Sequence, residues 1–300
     1  TIDAAKFFKM RLEQESKGTL SCDIYTDNVL GSARELLEGC QFGNYDIVLA
    51  TNATVASFEN DIFCLDIPWL FDNKQQVYEV LDGPLGDRLA DGLEESGFKL
   101  LQWQENGFRT LSTNKPINDM SDLKGVKIRI MENELQLQQW KDYGANPTPM
   151  AFTELFTALQ QKTVDAQDNG AELTWQTKFY EVQSHYTYTK HIYSPYLILM
   201  SKDKFDGLTP EQQEIVLKVS DEAVAYERQR CDEYEQTALD NIKNCGTMQY
   251  SDLTPEVKAE MVKACKNIKE LAYKKVTDPS VVDLLYDEVA KAKEKFPEEG

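Results

Sequence analysis

Three hundred residues exceed what one compact core usually organises, so two lobes are expected. The composition is ordinary for a globular protein, 41% hydrophobic and 28% charged, and no apolar run reaches the ~20 residues of a membrane-spanning helix. With 51 acidic against 32 basic residues, the formal net charge of −19 argues against nucleic acid as a partner, and an anionic ligand would need locally concentrated positive charge.

Six scattered cysteines without a C-x-x-C pair, and only two histidines, His185 and His191, make a poor zinc inventory. No metal and no cofactor is expected. The chain opens at Thr1-Ile-Asp-Ala-Ala-Lys, which already reads as helix, and no signal peptide is seen.

Residues 3–16 carry the period of an amphipathic helix. Leu20–Tyr25 alternates at period two, as a half-buried strand does, and Ser32 opens a helix that ends near Gly39. Asp46–Ala50 is a continuous apolar run of the kind found in buried parallel strands, so the segment reads as a βαβ unit. Helices over 73–82 and 84–96 lead to strands Phe98–Trp103 and Phe108–Thr113. Strand Val126–Met131, a helix over 134–143, extended Asn146–Met150, helix Thr153–Gln161 and strand Val164–Gln167 then form a second module, βαβαβ. Two further strands, Tyr186–Thr189 and Tyr196–Met200, return the chain towards the first lobe. Thr209-Pro210-Glu-Gln-Gln is a capping box with proline at the first helical position. No glycine or proline follows until past Lys243, which predicts a helix over about 210–243, roughly 50 Å long and able to brace both lobes.

No P-loop, dinucleotide fingerprint, nucleophile elbow or H-E-x-x-H occurs, and no carboxylate pair stands out as an acid/base couple. The informative stretch is Glu105–Gly170, where two arginines and an asparagine lie at or beside strand ends, the places where ligands dock on α/β sheets. In Lys127-Ile-Arg-Ile-Met131, Ile128 and Ile130 share one face and Arg129 takes the other. An ordinary ion pair is the commoner fate of a strand arginine. The functional alternative is a guanidinium forked onto a carboxylate. Arg109 could add a second positive contact, and Asn169 can both donate and accept. Phe152 is as readily core as pocket floor.

Asp122-Leu-Lys-Gly-Val-Lys-Ile-Arg129, Gly144-Ala-Asn-Pro-Thr-Pro-Met-Ala-Phe152, Thr157–Asp165, Lys178–Gln183, Tyr45-Asp-Ile-Val and Glu105-Asn-Gly-Phe-Arg109 together carry a resemblance over nearly the whole chain. It resembles the extracytoplasmic solute-binding proteins of tripartite ATP-independent periplasmic (TRAP) transporters, the DctP-type dicarboxylate-binding family. The resemblance implies an α/β fold: a two-lobed, periplasmic-binding-protein-like clamp with mixed sheets and a long helix bridging the lobes. It implies no catalysis. The lobes are expected at 1–106 plus 195–234 and at 107–194 plus 235–300.

By resemblance, Arg129 makes the salt bridge to the ligand carboxylate, Arg109 is the second arginine, and Asn169 and Phe152 line the pocket. His191 supports it from behind. Three departures stand out. Gln-Glu-Asn-Pro becomes Gln167-Asp-Asn-Gly170, freeing the backbone that positions Asn169. Pro-Met-Pro-Phe becomes Pro149-Met-Ala-Phe152. The family's first strand precedes the opening helix, whereas this chain starts after it.

The expected ligand is a monocarboxylic sugar acid, a uronate such as glucuronate or galacturonate, or an aldonate. Asn52, Asn133 and Glu172 are candidates for its hydroxylated tail and Trp175 for a stacking face. A C4-dicarboxylate or another small organic acid is the alternative, with Arg109 taking the second charge. A sensory module or an enzyme on the same scaffold are the rivals from other classes. The expected partner is the membrane permease of a TRAP transporter. The expected location is periplasmic or otherwise extracytoplasmic, free or lipid-anchored.

Overall fold

The computed structural model describes residues 2–298. Nine strands are assigned among them: β1 (Ile47–Thr51), β2 (Phe98–Gln104), β3 (Phe108–Thr113), β4 (Lys127–Ile130), β5 (Asn146–Pro149), β6 (Ala166–Asn169), β7 (His185–Tyr193), β8 (Tyr196–Ser201) and β9 (Gln249–Asp252). They form a three-stranded sheet in the order β1-β8-β2 and a six-stranded sheet in the order β5-β4-β6-β3-β7-β9. The expected βαβαβ module is the parallel half of the larger sheet. β4 runs parallel to both β5 and β6, and helices Glu134–Asp142 and Phe152–Gln160 are the crossovers. β3 lies antiparallel to β6 and β7, so the larger sheet is mixed.

The first module differs from the sequence reading. β1 pairs with β8 antiparallel, not parallel. Its apolar run reports cover on both faces and carries no information on strand direction. Direction is set by β8, which returns from the second sheet. Leu20–Tyr25 keeps its alternation, with Leu20, Cys22 and Ile24 half-buried and Ser21, Asp23 and Tyr25 exposed, but it is not a strand. Among the described residues no neighbouring strand supplies a ladder, so the expected βαβ unit is not formed there.

The helix expected over 210–243 is in two pieces, Pro210–Arg228 and Cys231–Asn244. Thr209 caps the first through the expected box with Gln212. Neither glycine nor proline causes the break; side chains on helix Lys74–Leu81 hold both sides of it. Arg228 pairs with Asp82 and lies 4.2 Å from the Tyr78 ring centroid. Beyond the break, Lys74 Nζ lies 3.0 Å from Asp232 and 2.7 Å from Glu235. The first piece packs on β2 and the second on helix Ala171–Gln176 and β9, so the pair still spans both sheets. The C-terminal helix Ser280–Lys295 packs on Lys74–Leu81 and Pro84–Glu95, partners that the expected lobe boundaries place on the opposite side.

A buried carboxylate ties the first sheet's loops to the second. Asp66, fully buried at the end of the 3-10 helix Asn60–Asp66, accepts from Asn133 Nδ2 and Gln136 Nε2, both at 2.9 Å. Burial raises its pKa to about 7, against the pull of the Gln136 amide, the Arg109 charge and the Asn52 and Asn133 amides. An unfolded aspartate titrates near ~3.9. Between those values the folded chain holds a proton that the unfolded chain has lost, so this group makes the fold less stable as pH rises from about 4 to about 7. We expect Asp66→Asn to remove that slope. The Gln136 Oε1 atom, which lacks a partner, can flip to accept the new amide. Urea midpoints of wild type and variant should lie close at pH 5 and separate by pH 8, the variant being more stable by on the order of 1–3 kcal/mol. Parallel profiles would show that Asp66 does not titrate in this window.

Candidate functional site

The site is built on the C-terminal ends of the parallel strands. In β4, Ile128 and Ile130 are fully buried on the core side, and alternation sends Arg129 to the other face, 3% exposed. Its neighbours in register are Thr148 on β5 and Gln167 on β6. Arg129 Nε donates to the Met150 carbonyl at 2.9 Å, and the guanidinium carbon lies 5.9 Å from the Phe152 ring centroid. No carboxylate comes within 4 Å of it among the described residues, and neither terminal nitrogen donates to a described acceptor. Burial first, then the charge of Arg109, lowers its pKa to about 9, with Asp168 and Glu132 pulling the other way. The group is still a cation at neutral pH.

Arg109, on β3, is in a different position. It is 1% exposed and gripped by Asp168: Nε donates to Oδ2 at 2.8 Å, and Nη2 donates to Oδ1 at 3.1 Å and to the Asp168 main-chain carbonyl. Nη1 donates to Asn169 Oδ1 at 3.0 Å. Asp168 also accepts from His191, whose Nε2 lies 3.1 Å from Oδ2, while His191 Nδ1 lies 2.8 Å from the Thr189 hydroxyl. Burial alone would raise the Asp168 pKa; the Arg109 guanidinium and the His191 hydrogen bond outweigh it and hold the carboxyl well below its usual range. The chain Thr189–His191–Asp168 has the connectivity of a nucleophilic triad. Thr189 is 4% exposed and the carboxylate is already committed to an arginine, so what the geometry provides is rigid support for Arg109.

Asn169 is held at both ends, accepting from Arg109 and donating from Nδ2 to Gln167 Oε1. Gly170, expected to loosen this turn, does not. Its φ of −64° and ψ of 162° are values a proline adopts, so the backbone follows the proline path. A Cβ with glycine's geometry here would stand 3.2 Å from the Asn106 carbonyl oxygen, so the turn leans closely on the β2–β3 link.

The remaining sequence candidates divide. Phe152 is half-buried, edge-on to Phe179 and beside Arg129. Asn52 is fully buried; its Oδ1 accepts from Ser194 Oγ at 2.8 Å, and its Nδ2 faces Asp66 without completing a hydrogen bond. Asn133 caps helix Glu134–Asp142 through Oδ1 and holds Asp66 through Nδ2, so it has a structural task. Glu172 lines a cavity of about 50 Å³ with Glu105, Phe108 and Tyr196, and the burial-raised Tyr196, at about 12, feels both Arg109 and Glu172. Trp175 is not brought to the arginines: it stacks on Tyr180 at 4.3 Å and packs against Tyr186 and Ala238.

Three participants were not singled out from sequence: Asp168, Asp66 and the Met150 carbonyl. Asp168 had no signal in the sequence: it lies between Gln167 and Asn169, one residue past the expected strand Val164–Gln167, and its burial follows from β6 being flanked by β3 and β4. No group of three or more His, Cys, Asp or Glu positioned to hold a metal occurs among the described residues.

Comparison with known proteins gives a consistent result. The sequence profile of the bacterial extracellular solute-binding proteins, family 7 (DctP), matches residues 1–275. The 2,3-diketo-L-gulonate-binding periplasmic protein YiaO of Escherichia coli K12 is 36% identical over 251 residues, covering 83% of this chain and 76% of its own. Among solved structures, the sugar acid binding protein DctPAm of Advenella mimigardefordensis, in complex with galactonate, superposes with a TM-score of 0.93 at 31% identity, covering 97% of this chain and 93% of that one. A TRAP periplasmic solute-binding protein of Xanthobacter autotrophicus with bound β-D-galacturonate gives 0.91 at 28% identity, covering 96% and 95%. The two-sheet architecture is thus that of the two-lobed TRAP binding proteins, and the chain belongs to the DctP-type solute-binding family of TRAP transporters.

Proposed function

We propose that this protein binds a monocarboxylic sugar acid, a uronate such as glucuronate or galacturonate or an aldonate, through a salt bridge between its carboxylate and Arg129. It then hands the acid to the membrane permease of a TRAP transporter. Members of the family are binding proteins for small acids that work with membrane permease components in the periplasm, and are not enzymes. The observation that carries the reading is Arg129: a buried guanidinium whose terminal nitrogens have no carboxylate or other acceptor among the described residues.

Taking such a charge out of water costs several kcal/mol unless an anion compensates it. A carboxylate supplies that anion with two parallel hydrogen bonds, the geometry for which a guanidinium is preorganised. Phe152 provides an apolar wall beside the guanidinium, and Asn52, Glu172 and Tyr196 are the polar side chains offered for the ligand's hydroxyl groups. The sugar acids bound by two similar proteins support this ligand class. A C4-dicarboxylate is less well served, since Arg109 is already engaged by Asp168 and Asn169.

Arg129→Lys keeps the charge and loses the fork, and should weaken binding of D-galactonate or D-galacturonate roughly 10- to 100-fold in isothermal titration. Circular dichroism should remain that of the folded protein. Unchanged affinity would remove Arg129 from the site. Ligand should also raise the unfolding temperature, because it binds the folded chain alone; saturation at 100 times Kd corresponds to ~2.7 kcal/mol. A panel of uronates, aldonates and dicarboxylates with no shift at millimolar concentration would refute the small-acid reading.

A further inference from the structure

We infer that Asp168, held in place by His191, sets the charge of the ligand: by neutralising Arg109 it leaves the site one net positive charge, so that a monoanionic acid is selected over a dianionic acid of the same length. The inference rests on the reading that Arg129 receives a carboxylate.

The two arginines look equivalent in sequence, and their hydrogen bonds make them unequal. A guanidinium has five N–H donors. Arg109 directs Nε and Nη2 at the two oxygens and the main-chain carbonyl of Asp168, and Nη1 at Asn169, which leaves one N–H uncommitted. Arg129 commits only Nε, to the Met150 carbonyl, among the described residues. The site therefore contains two cations but only one free fork.

The charges around the site point the same way. Asp168 is 1% exposed and in direct contact with Arg109, so the pair is close to neutral as seen by a ligand. Asp66 also acts electrostatically on Arg109, and Glu132 and Asp168 act on Arg129. Glu172 lines one cavity with Tyr196, which also feels the Arg109 charge. Each of these carboxylates lowers the positive charge that a ligand meets and none adds to it. A second ligand carboxylate would be buried without a counter-ion, which is strongly unfavourable in a water-poor site.

His191 makes the arrangement rigid. With the Thr189 hydroxyl donating to Nδ1, His191 donates from Nε2 to Asp168 Oδ2, the oxygen that Arg109 Nε also reaches. The carboxylate therefore has little freedom to turn away from Arg109 and release it. Asp168 is a positioning residue in this scheme: it acts on the ligand through Arg109.

The test compares acids matched in carbon skeleton and unequal in charge: D-galactonate with galactarate, and D-glucuronate with D-glucarate, titrated calorimetrically at pH 7.5. Wild type should bind the monoanion of at least one pair ten times more tightly than its dianion, or better. Asp168→Asn releases the Arg109 charge and should move that ratio towards the dianion by tenfold or more. Asp168→Glu, which restores the charge, should return the preference to the monoanion. That rescue separates charge setting from general disruption of the site. If Asp168→Asn does not fold, Asp168→Ser takes its place in the same comparison, and a ratio left unchanged by loss of the carboxylate overturns the inference. Equal or tighter binding of the dianion by wild type overturns the charge rule and leaves the Arg129 reading standing. No binding of any of the four acids overturns the sugar-acid reading and this inference together.

Discussion

The ion pair between Arg109 and Asp168 is the constraint on which the site depends. Both side chains are 2% exposed, and neither could be carried into the interior alone. Desolvation of each ion costs several kcal/mol, so such a pair is tolerated only with good geometry and with the remaining lone pairs satisfied. Here both conditions hold. Arg109 meets Asp168 through two nitrogens, and His191 and Asn169 take up further valences. The pair also links two adjacent strands, where Leu111 faces Asp168 and Thr110 faces Asn169. Shifting that register by one residue would turn Asp168 to the opposite face and leave Arg109 unpaired. Strand register and site charge are therefore fixed by the same contact.

A second buried network joins the site to the places where the chain passes between sheets. The passages are the β2–β3 link at 105–107, Ser194-Pro195 between β7 and β8, and the helix break at Gln229–Arg230. Glu105 accepts from Tyr78 and from Tyr193, the last residue of β7. Lys74, one turn before Tyr78, lies 3.9 Å from Glu105 and pairs with Asp232 and Glu235 beyond the break. One helix, Lys74–Leu81, thus touches the first passage and both sides of the helix break, and reaches the end of β7 through Glu105. The turn carrying Asp168 and Asn169 passes near the first passage, since a Cβ added at Gly170 would stand 3.2 Å from the Asn106 carbonyl oxygen.

How legible all this was depends on what each feature needs in order to form. The βαβαβ module was readable because its periodicity and its glycine and proline punctuation are local properties. The direction of β1 was not, since both faces of a strand can be apolar whichever way its neighbour runs. Leu20–Tyr25 has the correct alternation but lacks a ladder partner among the described residues, and a strand is a property of a pair. The break in helix 210–243 was invisible for a related reason: Asp82, Tyr78 and Lys74, which hold its two sides, lie about 150 residues away in sequence. At the site, pattern alone left Arg129 as an ordinary ion-pair residue, and the family resemblance singled it out. The inequality of the two arginines could not be read from either, because it rests on β3 and β6 being neighbours in the sheet.

That inequality also bears on how an acidic protein can hold an anion. A net charge of −19 repels small acids at long range, but at physiological salt the repulsion is screened over ~8 Å. In the reading proposed above, what the ligand meets at contact is local: one guanidinium, Arg129, whose pKa burial has lowered to about 9. Without a ligand, the fold keeps this cation in a medium that disfavours it, at a cost of a few kcal/mol by the ~1.4 kcal/mol per pKa unit of linkage. A bound carboxylate offsets part of that cost in addition to forming its own hydrogen bonds. Because Arg129 is already fixed by Met150 and Phe152, little side-chain freedom remains to be lost on binding. Much of the affinity of such a site is thus prepared in the ligand-free protein, as an uncompensated charge that a single carboxylate can match.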